Sequence, residues 1–514
     1  MSSSSSSRRR FLSGLAGAAL ARAAEAAPAL PNIVFILADD LGWGDLSCYN
    51  RESKIVTPNL DRMASQGVRF TDAHTPSAVC TPTRYGLLTG RYCWRTRLKN
   101  GVLDGFDPPL IEPGRMTAAS LLKQRGYATA CVGKWHLGMQ WTNRDGTPVG
   151  MRGAGVGFRP GYEVDYRRPV GGGPLSAGFD WYYGISASLD MSPYCFIENR
   201  RTVGIPDVRT SEERDLYMNQ VPGVRTRDFK LEDVVPVSAR KACEFIRGRK
   251  GAKNPFFLYL ALSSPHLPVV PNREFEGRSK AGKYGDFVAE MDAAVGEVLA
   301  ALEQSGAAGN TLVMFSSDNG GLWHWWDFEE ADDVAGGKTT PRGAYAKKYG
   351  HQSNAWMRGT KADVWEGGHR VPFLARWPGR IRPGGVSDAL ICLTDLLATC
   401  AAITGTPLPR DAGEDSFNLL PALTDGKPAR EHVIGHSLHG EFVVRRGDWK
   451  LIPSRGSGGF SAPRTVAVGD GPKGQLYNLR EDPRETRNRY AEQPGIVNEL
   501  SRLLETVQRD GRSR

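Results

Sequence analysis

Two pairs of oxygen donors stand far apart in the chain, Asp39-Asp40 and Asp318-Asn319. Neither pair is accompanied by histidine or cysteine, so the donors are hard, and they suit calcium or magnesium rather than zinc or copper. Three carboxylates held together would repel one another unless a cation neutralised them. An Asp-Asp pair after a strand can also cap a helix or solvate a loop; the second pair, in the same kind of position, favours the metal reading. A third feature is Cys80-Thr81-Pro82-Thr83-Arg84. It opens a segment that reads as a short helix, with proline in its first turn and Gly90 at its end. Cys80 then lies at the positive end of a helix dipole with Arg84 one turn away on the same face, an environment for an anion or an activated sulfur. The plainer reading is a buried cysteine opening a helix.

The elements that must position these groups are short apolar runs. Ile33 to Leu37 reads as a buried parallel strand running into Asp39 and Asp40. Thr129 to Val132, after a helix over 118–125, ends at Gly133-Lys134-Trp135-His136, and Phe256 to Leu262 ends at Ser264-Pro265-His266. Phe287, Met291, Ala294, Val295, Val298 and Leu302 keep a helical period closed by Gly306. Thr311 to Phe315 then leads into Asp318-Asn319. Alternating strands and helices predict an α/β fold with a large, mostly parallel central sheet flanked by helices. Ligands in such sheets bind outside the carboxyl ends of the strands, so the motifs should meet in one crevice.

Together these residues resemble the type I, formylglycine-dependent sulfatase family of the alkaline phosphatase-like superfamily. The first signature matches Ala78 to Gly90 around Cys80-x-Pro82-x-Arg84, and the second Gly126 to His136. Ala38-Asp39-Asp40-Leu41-Gly42, Pro265-His266-Leu267-Pro268, Ser317-Asp318-Asn319-Gly320 and Gly359-Thr360-Lys361 before Glu366-Gly367-Gly368 follow the family's order over roughly residues 31–490.

The resemblance implies that Cys80 becomes Cα-formylglycine, made by a formylglycine-generating enzyme, whose hydrated form attacks sulfur with one oxygen and expels sulfate with the other. A thiolate would lack that second hydroxyl. By resemblance Asp39, Asp40, Asp318, Asn319 and residue 80 hold Ca2+, which polarises the ester as a Lewis acid. Arg84 would secure the formylglycine, Lys134 and Lys361 would clamp sulfate, His136 would take the diol proton during release, and His266 would protonate the departing alcohol. Asp318 would assist deprotonation of the attacking hydroxyl. The reaction implied is hydrolysis of a sulfate ester on a small molecule or carbohydrate. The alternatives are a phosphate or phosphonate ester on the same architecture, or a silent glycan-binding relative, which should have lost one of these residues.

The remaining histidines His74, His432, His436 and His439 read as surface or satisfied core residues. His351 is ambiguous, and His369 stands where the family usually carries an apolar residue. Residues 321–358 hold Trp323, Trp325, Trp326, an acidic run over 327–333, Lys338, Arg342, Lys347, Lys348 and Trp356. Such a loop either stacks on sugar rings and meets anions or covers the core edge. The glycine-rich segment 150–178 is a second candidate rim. After about residue 430, two hairpin strands, a further strand at 475–479 and an apolar stripe from Ile496 to Val507 predict a smaller antiparallel α+β subdomain over 429–514, beside a catalytic domain over 30–428.

Composition agrees with a large folded protein. Of 514 residues, 40 % are hydrophobic and 24 % charged, which excludes a disordered or fibrous chain. The net charge of +10 is spread without a lysine-rich block and does not mark a nucleic-acid binder. Arg8-Arg9-Arg10-Phe11-Leu12, a short apolar stretch and Ala23 to Ala27 resemble a signal peptide of the twin-arginine type over 1–27. Its loss would lower the charge to about +7. Periplasmic or secreted location, passage through the twin-arginine machinery and no stable membrane insertion are the expectations. The eight cysteines show no zinc or disulfide-framework spacing.

Overall fold

The computed structural model describes residues 1, 29–153, 157–214, 218–322, 348–466 and 471–514. Apart from Met1, the leader expected over 1–27 lies outside the described residues, as does the part of the 321–358 insertion from Trp323 to Lys347.

The central element is β1, Asn32–Asp39. It lies in a ten-stranded sheet with β2 (Val68–Phe70), β3 (Ala128–Lys134), β4 (Trp181–Ile185), β5 (Ile197–Glu198), β6 (Arg201–Thr202), β7 (Phe256–Pro265), β8 (Thr311–Ser317), β9 (Phe373–Arg376) and β10 (Gly385–Ser387). The strand order is β10-β2-β9-β8-β1-β7-β3-β4-β5-β6. The five central strands, β8 to β4 in that order, run parallel. β9 is antiparallel to β8 and β2, and β5 is antiparallel to β4 and β6.

Successive side chains of a strand point to opposite faces, and here both faces are covered. Ile33, Phe35 and Leu37 enter one core with residues of α1 (Cys80–Thr89), α2 (Ala118–Gln124) and α5 (Leu396–Ile403). Val34, Ile36 and Ala38 enter the other, with α3 (Val234–Gly248) and α4 (Gly282–Ser305). That is why β7 reads as an unbroken apolar run rather than an alternation: all ten of its residues are buried. The four strands expected in this sheet all form, and each extends a little further at one or both ends; β7 and β8 continue through the buried serines 263, 264, 316 and 317. Because β8, β1, β7 and β3 are neighbours, the four strand ends that carry Asp318, Asp39, His266 and Lys134 lie side by side.

A second, antiparallel sheet follows: β11 (His432–His436), β12 (Phe442–Arg446), β13 (Trp449–Ile452) and β14 (Gln475–Asn478), paired in chain order. β11 was not anticipated, since it offers only Val433 and Ile434 between two histidines. One face of this sheet packs through Ile434, Val444, Leu451 and Leu476 on α6 (Pro494–Arg509) and on Tyr92 and Trp94. The other face packs through Val443, Ile452 and Tyr477 on Val364 and Trp365. The sheet therefore braces the segment that carries Lys361. Among the described residues no helix is long and apolar enough to cross a membrane.

Candidate active site

β1 delivers Asp39 and Asp40 to the carboxyl edge of the sheet, where Asp40 turns into the left-handed region at φ 63°, a conformation aspartate tolerates better than most residues. Its backbone N–H donates to Asp318 Oδ1 at 3.2 Å, and Asn319 Nδ2 donates to Asp40 Oδ1 at 2.8 Å. The two donor pairs, 278 residues apart in sequence, are thus one buried cluster. Cys80, only 2 % exposed, opens α1 beside it. Its sulfur and carboxylate oxygens of Asp39 and Asp318 all lie within 4.8 Å of one another.

Arg84, one turn along α1, places Nε and Nη2 at 3.0 and 2.7 Å from Asp318 Oδ2 and Nη1 at 3.2 Å from the Lys134 carbonyl. Its guanidinium is therefore committed to holding Asp318. This corrects the expectation of an activated sulfur. Burial pushes the Cys80 thiol up, against the pull of Lys134 and Lys361, so the unmodified thiol is protonated and a poor nucleophile.

β3 ends in Gly133 and Lys134. The Lys134 ammonium donates to Asp39 Oδ2 at 2.6 Å and to Ser188 Oγ at 3.1 Å. His136 follows at φ 55°. Its Nε2–H donates to the Leu103 carbonyl at 2.8 Å, while Nδ1 is buried without a partner. Burial, reinforced by Lys134, holds this imidazole well below the usual histidine range, so it is neutral with a free lone pair. Arg159, from the glycine-rich segment 150–178, pairs with Asp104 and Asp107 at 2.7 and 2.9 Å and anchors the turn after Leu103.

At the end of β7, His266 Nδ1–H donates to the Leu267 carbonyl. Its Nε2 is 3.2 Å from Ser188 Oγ and 3.6 Å from Asp40 Oδ2. Ser188 thus bridges Lys134 and His266. Sequence reasoning missed it, and its place just past the carboxyl end of β4 was the one available signal. Lys361 Nζ lies 2.7 and 2.8 Å from the two Asp40 oxygens. Burial works against its charge, and Asp40 and the neighbouring acids overcome that and raise its pKa. Ala362, at φ 80°, donates its N–H to the Ala78 carbonyl at 2.8 Å, stitching the lysine segment to the turn before Cys80.

The donor set fits a hard divalent cation. Asp39 Oδ1 and Asn319 Oδ1 are buried oxygens without hydrogen-bond partners. Burial opposes ionisation of Asp39 and Asp40, but Lys134 acting on the first and Lys361 on the second hold both carboxyls low. Asp318 is pushed up by burial and by the Asp39 charge despite Arg84. A cation among these oxygens would remove that conflict, and a set of protein oxygens suits calcium.

The other histidines stand apart. His351 bonds Asp45 Oδ1 at 2.8 Å through Nε2 and accepts the Lys54 N–H at Nδ1, which makes it a structural tie. His369 meets His74, Nδ1 to Nδ1, at 3.0 Å, with Lys450 Nζ 3.1 Å from its Nε2 and Asp72 2.9 Å from His74 Nε2. The buried Lys450 ammonium, 2.9 Å from Glu366 and 2.8 Å from Glu485, already serves as the cation of that cluster. His436 is buried and His439 exposed. All eight cysteines are free, and all but the partly buried Cys48 are buried.

A family model described as Sulfatase matches residues 31–406. The chain is 34 % identical to an N-acetylgalactosamine-6-O-sulfatase of Bacteroides thetaiotaomicron, over 93 % of each chain. It is 32 % identical to human arylsulfatase A, over 98 % of this chain and 90 % of that one. A solved Bacteroides thetaiotaomicron structure, described in connection with the metabolism of multiple glycosaminoglycans, superposes with a TM-score of 0.76 at 32 % identity, over 93 % of this chain and 99 % of that one. With this match spanning both sheets and a site built from the residues above, the chain belongs to the sulfatase family and is a sulfuric ester hydrolase.

Proposed function

We propose that the protein removes a 6-O-sulfate from an N-acetylgalactosamine unit of a glycosaminoglycan-type chain, with formylglycine at residue 80 and calcium held by Asp39, Asp40, Asp318 and Asn319. The observation that carries the chemistry is the buried ring of oxygen donors closing on Cys80 between two lysines. The substrate rests on relatives named N-acetylgalactosamine-6-sulfatase.

Hydrated formylglycine supplies a nucleophilic hydroxyl and a second one for release, and calcium a Lewis acid beside it. The chain's own groups do the rest. Lys134 and Lys361 are fixed cations, in place before charge develops on the sulfuryl oxygens. His266, held by Leu267 and Ser188, presents Nε2 as proton donor to the departing sugar oxygen. His136, oriented by Leu103, offers Nδ1 as the acceptor for the proton lost during sulfate release. Export through the leader over 1–27, to the periplasm or medium, belongs to the same proposal, and a mature amino terminus near Ala26 is expected.

Peptide mass spectrometry of active protein should find an aldehyde at residue 80. Chelation should abolish activity and lower Tm, with calcium restoring both. N-acetylgalactosamine 6-sulfate should be cleaved in preference to the 4-sulfate, and aryl sulfate in preference to aryl phosphate. An unmodified Cys80 in fully active protein would sink the formylglycine reading, and a preference for the phosphate ester would sink the sulfate one.

A further inference from the structure

A cavity of about 570 Å³ opens between the loop leaving β1 and the segment that returns to Lys361, the two segments that also deliver Asp40 and Lys361 to the site, with the C-terminal subdomain at its edge. Trp43, three residues after Asp40, and Trp356, five before Lys361, are two of its walls. Its volume falls in the range of small-molecule sites, roughly 300–1,000 Å³.

The walls are joined rigidly. Gly44 N–H donates to the Ser353 carbonyl, and His351 bonds Asp45 across the same seam. A Cβ on Gly42 would stand 2.1 Å from the Ser353 oxygen, so the close approach of the two segments needs glycine there. The Trp43 and Trp356 rings lie 6.3 Å apart at 68°, and Tyr49 meets Trp43 at 4.9 Å. The Arg370 guanidinium, 5.6 Å from the Trp356 centroid, backs that ring. The Trp43 indole N–H is buried without a hydrogen-bond partner, so the ring meets the cavity through its carbon surface. On the rim Arg51 and Arg484 are exposed, and among the described residues neither guanidinium is engaged in an ion pair. One acid, Glu52, faces them.

Aromatic rings beside a polar rim with two unspent guanidinium groups match an anionic pyranose, whose apolar face lies on indole and whose charged group takes a guanidinium fork. We propose that this cavity is a second sugar subsite, holding an anionic neighbour of the sugar whose sulfate ester is cleaved at residue 80. The inference rests on the glycan reading above and deepens it: the protein recognises a stretch of chain, through a uronate carboxylate or a second sulfate, rather than a single sugar.

The test compares kcat/KM for a sulfated tetrasaccharide containing uronates with that for the monosaccharide 6-sulfate. The wild-type ratio should be well above one. Arg51→Ala/Arg484→Ala, both at exposed positions, should lower it about tenfold, the size of losing a charge-assisted contact. Trp356→Ala should lower it too, and Arg484→Glu further than Arg484→Ala. Carboxyl-reduced tetrasaccharide losing the advantage assigns the rim to a carboxylate; loss only on removal of the second sulfate assigns it to sulfate. Cleavage of both substrates at a ratio that the double variant leaves unchanged overturns the subsite alone. Turnover of aryl sulfate with neither saccharide cleaved overturns the glycan reading and the subsite with it.

Discussion

Three residues other than glycine that adopt left-handed backbone geometry sit within the site: Asp40, His136 and Ala362. Such conformations cost energy and persist where the surroundings over-determine them, here through hydrogen bonds from Asp40 to Asp318, from His136 to Leu103 and from Ala362 to Ala78. For His136 the result is a neutral ring with Nδ1 free. His136→Gln should lower kcat by about 10²-fold or more with a small change in KM. Because burial and Lys134 depress the imidazole pKa, the base form survives acidification past the ordinary value of about 6.5. The acid limb of wild-type kcat should therefore lie well below that value, and a limb near 6.5 removed by the substitution would contradict the assignment. At this scale the sequence was informative wherever residue type and spacing carried the chemistry, as in Cys80-x-Pro82-x-Arg84 and the two oxygen-donor pairs. It was silent on Ser188, one serine in Ser186-Ala187-Ser188-Leu189 with no spacing signature. It also misled on the cysteine, because the direction taken by the Arg84 guanidinium depends on Asp318, far away in sequence.

Among the elements, backbones come close enough at the site that side chains are excluded between them. A Cβ on Gly133, at φ 96°, would stand 2.0 Å from the Ala261 oxygen, and one on Gly320 would be 1.7 Å from the Gly367 oxygen. Both obstacles are backbone, which cannot swing away. Gly133→Ala and Gly320→Ala should each destabilise the protein by about 2–4 kcal/mol and abolish turnover, since they displace Lys134 and Asn319. Gly126→Ala, at φ 83° but with nothing within 4 Å, should cost only about 1 kcal/mol. Thermal unfolding of the three variants separates packing from backbone strain. The long strands β1, β7 and β8 were legible because burial on both faces leaves a continuous apolar run. The outer strands β5, β6 and β10 span two or three residues, too few for any period to register, so the strand order and the antiparallel flanks had to come from the structure.

Across the whole molecule, the site is completed by a part of the chain that contributes none of the side chains placed in the site above. The C-terminal sheet grips the Lys361 segment through Val364 and Trp365. It also holds it through Lys450, buried between Glu366 and Glu485, and through Ser461, which bonds Asp363 at 2.5 Å. Glu485, pushed up to about 7 by burial and by Glu366, shows how dependent these acids are on the lysine. Lys450→Met should leave them uncompensated and lower stability by about 3–5 kcal/mol, with loss of activity exceeding the unfolded fraction because Lys361 is displaced. Adding Glu366→Gln should recover part of both, and calorimetry with initial-rate assays on the two variants reads this directly. The subdomain was foreseen as a neighbour of the main sheet, but its grip on the site was not, because an ion pair between Lys450 and Glu366, 84 positions apart, and a hydrogen bond from the Glu366 N–H to Glu485, 119 positions away, leave no local trace. The burial of α1 sets an order of events. All ten of its residues are inaccessible, and Cys80 lies beneath strand ends that meet only when residues 39 to 361 are assembled. An enzyme that converts this cysteine must reach it while the chain is still open. Under the proposed chemistry the modification would therefore precede folding, and under the proposed export of an already folded protein the aldehyde would be in place before the protein leaves the cytoplasm.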